Sequence, residues 1–177
     1  MSGGATSPRP RAREVFASPV HFLAFGLGAG LAPFAPGTFG TLIGLPCWWL
    51  LAPCGVVTYL FTTAALFAIG CAVCGASARR LGVHDYGGIV FDEIIGFLIT
   101  AAPLLWAPAP SFRARCIGLG AAFLLFRLFD IWKPWPIRIL DRRVHGGFGI
   151  MLDDAVAGLF AGAVLAMLLR VGVLPGG

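Results

Sequence analysis

Five apolar runs occupy most of this chain, at about 38–53, 56–76, 89–106, 116–132 and 153–169. A helix crossing a bilayer needs roughly 20 predominantly apolar residues. Inside lipid, only helices and closed barrels satisfy their own backbone hydrogen bonds. The runs therefore predict an all-α fold, a polytopic membrane helical bundle with about five spanning helices. Composition points the same way. The 177 residues are 58% hydrophobic and only 12% charged, whereas a soluble domain carries about a quarter charged residues. So few charges cannot cover a water-exposed surface, and lipid must be the solvent for much of the chain. The first run is short and broken by Pro46. A further stretch, 21–31, carries Gly26, Gly28 and Gly30 and is too short to span; it is expected as a short re-entrant or interfacial helix. Residues 20–177 form a single membrane-embedded domain in this reading.

Residues 1–19 form a Pro/Ser/Gly-rich arm with Arg9, Arg11 and Arg13. The arm is expected to be disordered and solvated, and it shows no cleavable signal. With the arm in the cytoplasm and five spans threaded in turn, Arg79, Arg80, Lys133, Arg138, Arg142 and Arg143 join it inside. Arg113, Arg115 and Arg170 fall outside. The positive-inside rule favours this threading, so the expected location is a cytoplasmic (inner) membrane with multiple passes. A basic stripe interleaved with aromatics is missing, so the net charge of +5 is not read as nucleic-acid binding. No obligate protein partner is inferred.

The same threading gathers the acids. All of them but Glu14 lie between residues 85 and 154. Asp85, Asp92 and Glu93 enter the third span from the cytoplasm, Asp130 ends the fourth, and Asp153 and Asp154 open the fifth. Carboxylates at membrane depth are expensive and mark function. Without thiol or clustered imidazole ligands, such a group suits a hard cation; Mg²⁺ takes carboxylates, waters and phosphate oxygens. Asp92, Glu93, Asp130, Asp153 and Asp154 are the ligand pool. The competing reading for Asp153 and Asp154 is helix capping, since negative charge is favoured at a helix start.

Arg127, Asp130 and Lys133 follow at i, i+3 and i+6 along one helical face. An intramembrane Arg needs a phosphate or a carboxylate partner, so Arg127 is either a phosphate ligand or a structural partner of Asp130. His145 opens the Gly-rich stretch His-Gly-Gly-Phe-Gly, expected as a flexible loop, and is a candidate proton donor or phosphate ligand. Pro36-Gly-Thr-Phe-Gly-Thr41 opens the first span, where glycines and the Thr38 and Thr41 hydroxyls could form a phosphate-binding nest. Cys74-x5-Arg80 fits the bare pattern of cysteine phosphatases, but it falls at the end of a membrane helix. It is read as a decoy, and Cys71-x-x-Cys74 as core packing. The odd count of five cysteines, all in or beside apolar runs, argues against a disulfide framework.

The runs PGTFGT (36–41), GVHDYGGIVFDEIIG (82–96) and FRLFDIWKPWPIRILDRRVHGGFGIMLDDAVAG (126–158) resemble the bacterial phosphatidylglycerophosphatase A family. The resemblance extends from about residue 21 to the last helix, with no departure at the polar positions. It implies a Mg²⁺-dependent phosphatase of the inner membrane. Such an enzyme removes the terminal phosphate of phosphatidylglycerophosphate to give phosphatidylglycerol. The positions it carries over are His84, Asp85, Asp92, Glu93, Arg127, Asp130, Lys133, Asp141, His145, Asp153 and Asp154.

Chemical reasoning then distributes roles. One or two Mg²⁺ ions held by the carboxylates activate a water for in-line attack. Arg127, Lys133 and Arg138 bind phosphate oxygens, and His145 or His84 protonates the leaving glycerol oxygen. Asp92, Glu93 and Asp130 count as catalytic, and Asp85 and Asp141 are further candidates. Two rivals remain: a membrane phosphotransferase, which would pass phosphate to an added acceptor alcohol, and a small ion transporter. The acids crowd one face and do not continue across the membrane, which counts against transport.

Overall fold

A computed structural model describes residues 10–83, 86–107 and 111–174. Every regular element among them is helical. Within the stretch expected as a disordered arm, Ala12–Ala17 form a short helix, α1. Glu14 accepts from the Arg11 N–H at 3.0 Å and Val15 is wholly buried, so one apolar anchor and one cap hold this turn. The 21–31 stretch divides in two. Helix α2 (Pro19–Ala24) is capped by the Ser18 hydroxyl, and a 3-10 segment follows over Gly26–Leu31, interrupted by left-handed Leu27 and Gly28. Ser18 accepts from Arg80, His21 Nδ1 meets the Ser77 hydroxyl at 2.8 Å, and the Val90 N–H donates to the Ala24 carbonyl. The N-terminal elements therefore lie across the end of the bundle where α4 (Val56–Leu81) finishes and α5 (Phe91–Ala101) begins.

Helix α3 (Pro36–Leu51) runs straight through Pro46, which does not break it. A proline inside a helix forfeits one backbone hydrogen bond and crowds the preceding turn; Pro46 sits on the exposed side, and the helix continues into a 3-10 turn up to Cys54. Gly55, at φ 88°, turns the chain into α4. Helix α4 outlasts its apolar run and ends at left-handed Gly82, whose N–H and that of Val83 cap the last turn. Arg79 and Arg80 lie in that turn, where positive charge complements the helix dipole.

Helix α5 is the hub and packs against α3, α4, α6 (Phe112–Trp132) and α8 (Gly146–Arg170). Its 11 residues cover roughly 16 Å, well short of a bilayer core. Pro103 stops it, and the chain leaves through a 3-10 turn over Ala102–Leu105. The carbonyls orphaned at that end are met by side chains from neighbours: the Tyr59 hydroxyl donates to Leu98 O at 2.7 Å and the Trp48 indole to Ala101 O at 3.3 Å. Thr100 donates to Gly96 O and to Gly158 O on α8.

Helix α6 ends at Lys133, α7 (Ile137–Arg143) follows, and α8 closes the fold. Here the sequence reading needs correction. Gly146–Gly149 are not a loop, and Asp153 does not open the last helix; α8 begins at Gly146. Gly147 and Gly149 are there for close approach, whereas Gly146 takes a positive φ of 76°. A side chain at Gly147 would strike the Cys71 carbonyl of α4, and one at Gly158 would meet the Gly96 carbonyl of α5. Small residues at such crossings let membrane helices pack backbone to backbone.

Among the described residues, three helical segments have the length and apolarity to cross a membrane: Pro36–Cys54, Val56–Leu81 and Gly146–Arg170. Their outer faces carry Leu50, Val57, Phe61, Leu159 and Met167 in the open, far more exposed apolar surface than water tolerates. These helices mark the protein as membrane-associated.

Candidate active site

Four elements converge at one end of the bundle: the first turn of α5, the end of α6, α7, and α8 two turns in. Between them lies a cavity of about 260 Å³ whose wall includes Asp92, Glu93, Asp130, Lys133, Asp141, Asp153 and Asp154. Asp92 and Glu93 occupy the first turn of α5, where the helix dipole favours them. Asp153 and Asp154 are buried and stand about two turns inside α8, so helix capping does not account for them.

Two cations reach this cluster in different ways. Arg127 forms an ion pair with Asp130 one turn on, the structural pairing left open by the sequence, and it is not part of the cavity wall. Lys133 is the cavity's own cation. It caps α6 at φ 43°, a left-handed conformation that costs a non-glycine residue about 1–2 kcal/mol. Its ammonium bridges Asp141 at 2.8 Å and Asp153. Burial alone would lower the Lys133 pKa, but the Asp153 and Asp141 carboxylates outweigh it and raise it. Burial likewise raises the Asp141 pKa, but the hydrogen bond and charge of Lys133 prevail and lower it.

Glu93 and Asp154 form no ion pair among the described residues. One oxygen from each of Asp92, Glu93 and Asp154 lies within 4.8 Å of the other two. Glu93 Oε2 and Asp154 Oδ2 are buried without a hydrogen-bond partner. Like charges at that spacing repel by roughly 3–4 kcal/mol per pair at an effective dielectric constant of about 20. An all-oxygen donor set of this kind fits a hard divalent cation such as Mg²⁺.

Other expected site residues lie apart. Thr41 is buried and donates back to the Gly37 carbonyl of its own helix, so its hydroxyl is spent. Thr38 is half-buried on α3 outside the cavity wall, Arg138 is exposed on α7, and His145 is exposed at the start of α8. His84 and Asp85 lie outside the described residues. Cys74 is buried with its thiol 3.9 Å from the Met151 sulfur, and Cys71 packs partly buried against the same core. The nest motif contributes instead through Gly37, not singled out from the sequence: a side chain there would strike the Glu93 carboxylate and crowd the Arg127 guanidinium. Gly96 was missed. It lets Phe126 and the Asp154 backbone close on α5. The available signal for Gly96 was its place one turn after Asp92 and Glu93.

Fold and site together define an all-helical, membrane-associated protein with a carboxylate-rich cavity where its helix ends meet. The family model for phosphatidylglycerophosphatase A matches residues 22–169. A phosphatidylglycerophosphatase A from Escherichia coli (strain K12) is 42% identical over 155 residues, covering 88% of this chain and 86% of its own length. That from Haemophilus influenzae is 42% identical over 157 residues, 88% and 92% of the two chains. A Bacteroides thetaiotaomicron protein, provisionally named a phosphatidylinositol-3-phosphatase, is 36% identical over 148 residues, 80% and 88% of the two chains. No solved structure matches. The chain belongs to the phosphatidylglycerophosphatase A family, and it is a phosphatase.

Proposed function

We propose that this chain hydrolyses the terminal phosphate monoester of phosphatidylglycerophosphate, giving phosphatidylglycerol and inorganic phosphate for glycerophospholipid synthesis, with Mg²⁺ as cofactor. The observation that carries the metal reading is the Asp92–Glu93–Asp154 triad with two buried oxygens lacking partners. Family membership carries the substrate.

Bound among those three carboxylates, Mg²⁺ would neutralise phosphoryl oxygens as a Lewis acid and supply an activated water. The chain's own residues do the rest. Lys133 faces the same cavity. Because its two carboxylates hold its proton firmly, it acts by charge on the phosphoryl oxygens and does not serve as the acid. Arg127 fixes Asp130 from behind, so that this carboxylate keeps its place on the wall. Asp153 does the same for Lys133.

The setting proposed is a bacterial cytoplasmic membrane with the cavity facing the cytoplasm. Helix α6, 21 residues long, is a fourth crossing despite Arg127 and Asp130, which pair with each other. Helix α5 with its 3-10 extension is the fifth. It is encased by its neighbours, so lipid does not dictate its length.

Phosphate release by the purified protein in detergent tests the reading, with phosphatidylglycerophosphate and phosphatidylinositol 3-phosphate compared side by side. Release from the first, abolished by chelation and restored by Mg²⁺, is expected. Release that survives chelation would remove the cation from the mechanism, and a preference for the inositol lipid would overturn the substrate.

A further inference from the structure

The cavity accommodates a headgroup, and a lipid substrate must also place its tails. Two apolar grooves run along the outside of the bundle. One, about 460 Å³, lies between α3 and α6 and is walled by Leu42, Leu45, Trp49, Phe123 and Leu124, with Gly120 at its floor. The other, about 380 Å³, lies between α4 and α8 around Leu60, Ala64, Phe67 and Leu159.

The first leads toward the phosphate site: on α6, Phe123 and Leu124 of the groove lie one turn before Arg127, and Arg127 lies one turn before Asp130 of the cavity wall. At the cavity end of the α3–α6 seam, Gly37 of α3 touches both the Glu93 carboxylate and the Arg127 guanidinium of α6, and Arg127 Nε is buried there without a partner. Leu42 follows Gly37 by five residues, roughly 7.5 Å of helix. Trp49 stacks on Phe112 at 5.6 Å and closes the far end. The second groove is cut off from the cavity. Phe67 meets Phe148 edge-on at 6.2 Å, and Gly70 is packed against Met151 and Phe91.

We propose that the α3–α6 groove holds an acyl chain of the substrate while its phosphate occupies the carboxylate cavity, with Arg127 at the junction between them. The occupant is set by the two ends of the seam: the half-buried Arg127 cation beside the phosphate site, and an aromatic stop where a tail would end. Bulk lipid tails are as apolar as leucine and gain little by entering, so the groove's contribution is alignment of the headgroup with the carboxylates. This inference rests on the lipid phosphatase reading.

Gly120 supplies the test. A side chain added there meets open space, so Gly120→Phe fills the groove without disturbing the helix packing. Ala64→Phe fills the other groove as a control. Phosphate release is measured on long-chain phosphatidylglycerophosphate and on a short-chain, monomeric form. Gly120→Phe should lower kcat/KM for the long-chain substrate about tenfold and leave the short-chain value within about twofold, with Ala64→Phe like wild type on both. Unchanged long-chain turnover in Gly120→Phe, an equal loss on both substrates, or the same loss from Ala64→Phe would overturn the groove assignment. Wild type inactive on both substrates would overturn the phosphatase reading, and this proposal with it.

Discussion

Asp154 is fully enclosed on α8, one of its oxygens has no partner, and it shares a small space with Asp92 and Glu93. Replacing it by the isosteric amide removes a cation ligand and one source of repulsion at once. Asp154→Asn is therefore expected to cut phosphate release by roughly 10²–10³-fold. It should melt at or above the wild-type temperature when Mg²⁺ is absent. Wild type should gain about 2.7 kcal/mol from Mg²⁺ at a hundredfold excess over its Kd, a gain the variant should lack. Melting in detergent with and without Mg²⁺ reads this directly, and a variant that keeps the full Mg²⁺ shift would disprove the triad as the cation site. The acids of this site were legible in the sequence because carboxylates in an apolar chain are costly and need a reason. The i, i+3 spacing of Arg127 and Asp130 allowed their pairing but left a phosphate as the alternative partner, and the structure shows the pair. Thr41 misled, because a hydroxyl near a helix start can bond back to its own helix as readily as it can face a ligand. Gly37 was read as part of a phosphate nest, whereas its contribution is the absence of a side chain beside Glu93 and Arg127.

At the scale of elements, the sequence carried helix existence better than helix limits. Helix α8 was expected to begin at its acids, since Gly146, Gly147 and Gly149 read as loop residues by propensity. Packing overrides propensity where a backbone must approach another, as Gly147 approaches the Cys71 carbonyl. Helix α5 was expected to be a full span, since its apolar run continues to Trp106; Pro103 ends the regular helix sooner. The glycines separate into two kinds that a pair of alanine substitutions distinguishes. Gly147→Ala forces α8 off α4 and should cost about 1–3 kcal/mol through overpacking, a fall of about 2–4 °C in Tm per kcal/mol. Gly120→Ala adds a methyl in open space and should be neutral or stabilise by up to about 1 kcal/mol. Thermal melts of the two variants check this; equal Tm values would mean that the α4–α8 crossing is not backbone-tight.

For the whole molecule, the arrangement of ends follows from charge. Arg79, Arg80, Lys133, Arg142 and Arg143 sit at the end of the bundle that carries the cavity, in the last turn of α4 and around α7. Arg113, Arg115 and Arg170 lie at the opposite ends of α6 and α8. Positive charge is retained on the cytoplasmic side, so the cavity end should face the cytoplasm, where a newly made lipid phosphate can reach it by lateral diffusion. The chain carries its own reporter for the opposite face: Cys54 is an exposed free thiol in the turn between α3 and α4, far from the cavity. An Arg138→Cys substitution on exposed α7 places a second thiol at the cavity end. A membrane-impermeant maleimide added to intact spheroplasts should label Cys54 and spare position 138, and in inside-out vesicles the pattern should reverse. Labelling of position 138 from the outside would invert the orientation. Labelling of both from one side would mean that one of α4, α5 and α6, the helices between the two thiols, does not cross, and the number of spans would fall with it.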